Sequence, residues 1–176
     1  MNEKHESKQS STTQPNKSRR WIAAVAMAAV VAAAAAWLGI PATDADGADI
    51  VVYKTPSCGC CSNWVAHLRD NGFEVSVVNV SSTQPTRERL GVPGRLGSCH
   101  TAQVGKYWVE GHVPADLVER LITEQPGDVR GIAVPGMPMG SPGMEGPYPV
   151  TYDVLAYGSD GQATIYATRQ GRRSSQ

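Results

Sequence analysis

The fold is decided by the stretch Asp49-Ile-Val-Val-Tyr-Lys-Thr-Pro-Ser-Cys-Gly-Cys-Cys-Ser-Asn-Trp-Val-Ala-His-Leu-Arg-Asp-Asn-Gly72. It opens with a run of β-branched and aromatic residues that ends at a proline, which is typical of a β-strand. Beyond the cysteines, Trp64, Val65 and Leu68 recur at the spacing of one helical face, and Gly72 suits the left-handed position that ends a helix. The stretch therefore predicts a strand, a cysteine-bearing turn and a helix.

The rest of the chain predicts further strands and helices. They are, in order, a strand over 73–80, a short helix over 81–90, a hairpin over 101–109, a helix opened by Pro114, an aperiodic Gly/Pro/Met loop over 131–146 and a last hairpin over 150–168. This order, with cysteines at the first strand-to-helix turn, predicts an α/β fold. We interpret it as a thioredoxin-like domain to which the Gly/Pro/Met loop and a C-terminal β-hairpin are added.

The same order of elements predicts where the fourth cysteine lies. In a thioredoxin-like fold, the residue that enters the third strand packs against the N-terminus of the first helix. We therefore expect Cys99 to face Cys58, Cys60 and Cys61, although 38 residues separate it from Cys61 in the sequence. The four cysteines would then form one site that exists only in the folded domain.

The N-terminal part of the chain is predicted to lie outside this fold. Residues 1–20 are polar and predict a disordered cytoplasmic lead, whereas residues 21–40 are uncharged and long enough to span a bilayer, as a signal segment or a membrane anchor. Five Lys and Arg residues precede that segment, so the positive-inside rule places everything after it outside the cytoplasm. We expect a linker over 41–48, a metal-binding domain over 49–169 and a polar tail over 170–176. The protein would be periplasmic, either soluble after cleavage or tethered to the inner membrane.

Charge and length exclude some classes of function. The 16 Lys and Arg residues balance 16 Asp and Glu residues, so the chain has no electrostatic footprint for nucleic acid. The roughly 120 residues after the linker are enough for one hydrophobic core without disulfide staples. We therefore expect the cysteines to carry chemistry.

Two chemistries fit the cysteine cluster. Cys58 and Cys61 form a CxxC pair at a helix N-terminus, where the helix dipole lowers a thiol pKa, and this suits a thiol–disulfide oxidoreductase or a copper reductase. Thiolates also select soft ions, and Cys60 and Cys99 exceed what an oxidoreductase needs. The extra pair favours a site for one or more Cu(I) ions, with Ag(I) or Zn(II) as alternatives. A structural disulfide knot is a third interpretation, but such local crosslinks would constrain the unfolded chain little.

Five further residues are candidates for a secondary metal site or an uptake site. Met137, Met139 and Met144 lie in the Gly/Pro-rich loop, which we expect to be exposed, and thioethers bind Cu(I) or Ag(I) without losing a proton. The alternative is that these methionines fill gaps in a core. His100 and His112 are each either a metal ligand or a hydrogen-bonded structural residue.

These residues also resemble a known family. The matching blocks are Val52-Tyr-Lys-Thr-Pro-Ser-Cys-Gly-Cys-Cys-Ser-Asn-Trp64, Ser98-Cys-His-Thr-Ala102, Glu110-Gly-His-Val-Pro114, Val134-Pro-Gly-Met-Pro138 and Gly140-Ser-Pro-Gly-Met144. In this order they look like the CopG-like metal-binding proteins, long catalogued as a domain of unknown function. The resemblance implies a thioredoxin-like, periplasmic protein associated with copper and silver resistance. It also implies a metal-ligand role for Cys58, Cys60, Cys61 and Cys99.

The sequence as a whole predicts a periplasmic protein that sequesters or hands over Cu(I). Its expected partners are soft metal ions and other periplasmic copper-handling proteins, without nucleic acid, and membrane contact would come only through residues 21–40. Metal binding is favoured over an enzymatic role because four cysteines exceed a redox pair. The oxidoreductase or copper reductase stays open as the alternative.

Overall fold

A computed structural model describes residues 49–174 of the chain. The predicted segments 1–20, 21–40 and 41–48 lie outside the described residues, as do the last two residues of the predicted tail. Within the described part, none of the helices combines the length and the apolar character that crossing a membrane requires.

The described residues form a mixed α/β domain with one sheet. Its elements are β1 (Ile50–Lys54), α1 (Gly59–Asp70), β2 (Val75–Asn79), α2 (Gln84–Leu90), a 3₁₀ turn (Gly94–Leu96), β3 (His100–Val104), β4 (Tyr107–Glu110), α3 (Ala115–Glu124), β5 (Val129–Ala133), β6 (Thr151–Gly158) and β7 (Ala163–Gln170). The strand order in the sheet is β2-β1-β3-β4-β5-β6-β7. β1 and β2 are parallel, β3 lies antiparallel to β1, and the β3–β4 hairpin follows. The start of β3 therefore lies next to the end of β1, where the cysteine turn begins.

The predicted loop over 131–146 is wrong at its start, because residues 131–133 belong to strand β5. This strand pairs in parallel with β4 and antiparallel with β6, so it lies inside the sheet. The strand was not predicted because Gly131 lies within it, and glycine usually weakens a strand. Here a side chain at Gly131 would collide with the ring of Trp108 on the neighbouring strand, and the glycine makes room for that ring.

Buried apolar side chains form two clusters, one on each face of the sheet. The larger cluster packs Trp64 and Leu68 of α1 and Leu121 of α3 against the strands. The smaller one is formed by Val92, Leu96, Trp108 and Ala133. Trp108 belongs to the smaller cluster and its neighbour Val109 to the larger, as the alternation of side chains along β4 requires.

Two helix starts differ from the predicted ones. α1 begins at Gly59, within the segment predicted to be a cysteine-bearing turn, so Cys60 and Cys61 lie in its first helical turn. The side chain of Cys58 takes the N-cap position and accepts the Cys61 N–H, a role that sequence patterns assign to Ser, Thr, Asp or Asn. Pro114 occupies the N-cap of α3 and not its first helical position.

Candidate metal centre

The first half of the site is the cysteine turn, residues 58–61, at the N-terminus of α1. The Cys61 N–H donates to the Sγ atom of Cys58 over 3.3 Å, and the Sγ atoms of Cys58 and Cys60 lie 3.5 Å apart. The N-cap geometry of Cys58 thus directs its sulfur back over the first helical turn. Three sulfurs gather where the free N–H groups and the helix dipole favour negative charge.

Cys99, immediately before β3, supplies the fourth sulfur. The sulfurs of Cys58, Cys60, Cys61 and Cys99 all lie within 4.8 Å of one another. Two thiolates on one tetrahedral ion, each at about 2.3 Å, would sit about 3.8 Å apart. The spacing therefore suits a soft metal ion or a small cluster of them. This proximity is the one that the order of the elements predicts.

Cys58 and Cys61 are joined by a disulfide, which differs from the expected set of four free thiols. Their Cα atoms are 5.4 Å apart, as the N-cap and the third residue of one helical turn require. Cys60 and Cys99 are free. The structure thus presents the oxidised form of the CxxC pair, and four-sulfur ligation needs the pair to be reduced.

Two buried histidines reach the sulfur of Cys99. The Nε2 atom of His112 lies 3.0 Å from the Cys99 Sγ atom, and the Nδ1 atom of His100 lies 3.3 Å from it. Both histidines are 0% exposed. The His100 ring packs against Trp64, with ring centroids 4.3 Å apart, and meets His112 edge to face. The structure therefore brings both predicted histidines to the site.

Burial sets the protonation states of these groups. It raises the pKa of the Cys99 thiol to about 12, with Cys60 acting in the same direction. It lowers the pKa of His100 to about 3, helped by neighbouring His112, and it also lowers the pKa of His112. Both imidazoles are therefore neutral at pH 7 and carry a lone pair. A cation that binds Cys99 must displace the thiol proton.

A buried polar network, which was not predicted from the sequence, forms hydrogen bonds with Ser98, the residue before Cys99. The Ser98 N–H donates to Oε1 of Glu110 over 2.6 Å, and Arg87 donates to the Ser98 carbonyl. Arg87 also pairs with Glu110 at 2.8 Å, and the Thr101 hydroxyl donates to the second Glu110 oxygen at 2.6 Å. Burial raises the pKa of Glu110, and the hydrogen bonds from Thr101 and Ser98 and the Arg87 charge oppose that rise. The sequence signals this network only weakly, through an acidic residue at the end of an otherwise apolar strand.

The Gly/Pro/Met loop is only partly exposed, which corrects the expectation for its centre. Met137 and Met139 are 54% and 39% exposed and Met144 is half-buried, whereas residues 140–143 are buried. Met139 turns its thioether towards Gly146. The methionines therefore surround a packed segment, and their role as metal ligands stays a prediction.

The buried segment of that loop contacts the site directly. The Pro142 carbonyl lies 2.8 Å from Nδ1 of His112. A Cβ on Gly143 would lie 2.7 Å from the Trp64 backbone nitrogen and 2.8 Å from the Cys60 carbonyl oxygen. Only glycine allows this approach, so the loop covers the first turn of α1.

The chain is similar to known copper resistance proteins. Two solved structures of copper resistance protein CopG, forms 1 and 2, are each 43% identical to the chain. The match to form 1 covers 69% of this chain and 97% of the CopG chain, with a TM-score of 0.65. The match to form 2 covers 68% of this chain and 96% of the CopG chain, with a TM-score of 0.64. The chain belongs to the CopG-like copper resistance family.

A family described as protein of unknown function, DUF411, agrees with this membership. Its model matches residues 96–144, a stretch that includes Cys99, His100, His112 and Met144. The CopG-like resemblance seen in the sequence is thereby confirmed. No sequence among the curated proteins matches the chain.

Proposed function

We propose that this protein is a periplasmic copper-handling protein that binds Cu(I) through Cys58, Cys60, Cys61 and Cys99. The observation that carries the proposal is the gathering of four sulfurs within 4.8 Å at the N-terminus of α1. Thiolate ligands select soft ions, and the relatives are copper resistance proteins. Ag(I) shares this chemistry, and Zn(II) is the borderline competitor.

The fold and the N-terminal segment support the finer parts of this proposal. The strand order β2-β1-β3-β4, with α1 directly after β1, is compatible with a thioredoxin-like core to which the later strands are added. Residues 21–40 would deliver the domain to the periplasm. A fusion of residues 1–48 to a reporter that is active only outside the cytoplasm tests delivery, and an inactive fusion would contradict it.

Binding through all four sulfurs requires reduction of the Cys58–Cys61 disulfide by two electrons and two protons. The buried Cys99 thiol must also lose its proton to the metal. We therefore expect Cu(I) uptake by the reduced protein to release protons and to weaken at low pH.

The test is a Cu(I) titration of the reduced protein without oxygen, against a chromophoric chelator. We expect Cys99→Ser to lower the Cu(I) affinity more than about 100-fold, because even the outer partners of metal ligands are worth 10- to 100-fold. Ser57→Ala, an exposed neighbour of the cysteine turn, is the matched control and should leave the affinity unchanged. Equal affinities in all three proteins would refute the four-sulfur site.

The disulfide favours one second candidate, a copper reductase. Oxidation of the Cys58 and Cys61 thiols to the observed disulfide releases two electrons and two protons, enough to convert two Cu(II) ions to two Cu(I) ions. Stopped-flow reduction of Cu(II) by the reduced protein tests this candidate. Loss of two-electron reduction in Cys58→Ser, with retention in Cys99→Ser, would favour the reductase.

A further inference from the structure

A cavity of about 330 Å³ lies where α1, the start of α3 and the C-terminal end of β7 meet. Its volume is at the lower end of the range of roughly 300–1,000 Å³ that small-molecule sites occupy. Pro114, Ala115, Gly140 and Pro142 give it apolar and backbone walls. The four cysteines, all of them in the described part of the chain, do not line it. The cavity is therefore separate from the cysteine cluster and has room for a small organic molecule.

His67, on α1, offers a hydrogen-bond donor at this cavity. The Ala115 backbone N–H donates to the Nε2 atom of His67 over 3.1 Å. A backbone N–H can only donate, so Nε2 is the unprotonated nitrogen and Nδ1 carries the proton. Burial lowers the pKa of His67, helped by the charge of Arg172, so the imidazole is neutral at pH 7. Among the described residues nothing accepts the Nδ1 proton, which leaves it for a ligand.

Tyr152, on β6, offers a second donor. Its side chain lines the cavity and is only 9% exposed, yet its hydroxyl has no hydrogen-bond partner among the residues that the structure describes. Burial raises the pKa of this hydroxyl to about 12, so it keeps its proton at neutral pH. A tyrosine buried to this extent usually finds a partner for its O–H group. An acceptor bound in the cavity would provide that partner.

The cavity also has one cation that is not neutralised. Arg169 and Asp116 both line it, and they pair with each other at 2.7 Å. Arg172 lines it as well, and it belongs to none of the three ion pairs that the described residues form. Its backbone N–H donates to the Gly140 carbonyl over 2.7 Å, which fixes the start of its side chain beside the cavity.

One acidic side chain opposes that cation. Glu145 raises the pKa of His67 and of Tyr152, so its charge is felt at both donors. It does not line the cavity, however, and its Oε1 atom accepts the Gly143 N–H over 3.1 Å. The groups that do line the cavity thus combine one unpaired positive charge with two neutral donors.

We propose that this cavity binds a small organic monocarboxylate, whose carboxylate group is held by Arg172, His67 and Tyr152. One free guanidinium and two neutral donors match a single negative charge, and hydrogen bonds to an ionised group are the strong ones. The positive end of the α3 dipole, at Ala115, acts in the same direction. The carbon part of the ligand lies against the walls formed by Pro114 and Pro142.

The experiment titrates the ¹⁵N-labelled full-length protein with sodium propionate at constant ionic strength and follows the backbone amides by NMR. We expect a saturable shift of the amides of Ala115, Gly140 and Tyr152. Propionamide has the same shape without the charge and should leave these amides unmoved. Inorganic phosphate is the second probe, and it should bind more weakly than propionate because it leaves the apolar walls without a contact.

Three substitutions test the assigned groups. Arg172→Gln and Tyr152→Phe should each weaken propionate binding about 10-fold or more, because each removes a hydrogen bond to an ionised group. Glu145→Gln removes the opposing charge and should strengthen it. The matched control is Arg173→Gln, which removes the same charge from the next residue, exposed and outside the cavity, and should leave the affinity unchanged. The amide spectrum itself shows whether each variant is folded.

The inference is overturned if propionamide shifts the same amides as propionate, or if Arg172→Gln and Arg173→Gln weaken binding equally. Phosphate binding as tight as that of propionate would overturn the assignment to an organic carboxylate. The proposed Cu(I) function does not depend on any of these results, because none of its four cysteines lines the cavity.

Discussion

The two halves of the site differ in exposure and in how they are held. The cysteine turn is a short local segment, in which Cys58 and Cys60 are half-buried and Cys61 is buried. The opposite half, from Ser98 to His112, has both histidines and Glu110 at 0% exposure. The turn is held by local links, namely the helix cap and the Cys58–Cys61 disulfide, whereas the opposite half is held by an ion pair, several hydrogen bonds and aromatic packing.

This difference assigns different tasks to the two halves. The disulfide of the turn joins two residues of one helical turn, so the proposed reduction involves a local segment of the chain. The buried half holds Ser98 and Cys99 through contacts with Glu110 and the two histidines, which include neither Cys58 nor Cys61.

The largest expected effect comes from breaking the buried half at Glu110. Glu110→Ala leaves Arg87 and the Ser98 N–H without their buried partner, and loss of one partner of such a pair costs about 3–5 kcal/mol of stability. Urea unfolding of the metal-free protein measures this loss. Glu110→Gln keeps the acceptor and the shape, so it should lose less. A Glu110→Ala protein as stable as the wild type would show that the network does not stabilise this half of the site.

A smaller effect is expected where the loop meets the cysteine turn. Gly143→Ala would push a methyl group against the backbone of Trp64 and Cys60, and such overpacking costs about 1–3 kcal/mol. The displaced loop should also weaken the hydrogen bond from His112 to Pro142. Gly136→Ala is the matched control, since Gly136 also has a positive φ but nothing within 4 Å of the added atom. Thermal unfolding and Cu(I) affinity of the two variants measure the difference.

If both alanine variants lose the same stability, the cost lies in the backbone conformation and not in the contact. The loop would then cover the site without supporting it.

The smallest expected effect concerns Tyr152, which we expect to affect the stability of the fold but not the binding of Cu(I). Burial raises the pKa of Tyr152 to about 12, from about 10 in an unfolded chain. Between these values the unfolded state binds fewer protons, so stability falls as the pH rises from about 10 to about 12. Relative to Tyr152→Phe, the wild type should lose about 1 kcal/mol between pH 9 and pH 11.

Urea unfolding of both proteins at the two pH values measures the difference. Cu(I) affinity at pH 7 should be the same in both, since Tyr152 lies on β6, beyond the covering loop. If the wild type and Tyr152→Phe differed in Cu(I) affinity, Tyr152 would also affect the metal ligands through the loop.

Much of the fold could be predicted from local patterns. β1, α1 and the β3–β4 hairpin follow from alternation, helical spacing and turn residues. β5 could not be predicted, because Gly131, which makes room for the Trp108 ring, is a residue that usually interrupts a strand. The loop around Pro142 was expected to be exposed, because neither glycine nor proline signals that a segment packs against another part of the chain.

What the sequence by itself determined is the cysteine turn, the helix that carries it and the α/β order of elements, since these depend on residues close in the chain. The family membership also follows from the sequence blocks. The tertiary structure alone decided that His112 aims its lone pair at Cys99, that Glu110 and Arg87 clamp Ser98, and that Pro142 fixes the imidazole. These contacts join residues 11 to 30 positions apart. No local periodicity encodes them, because they arise only when burial forces each polar group to find a partner.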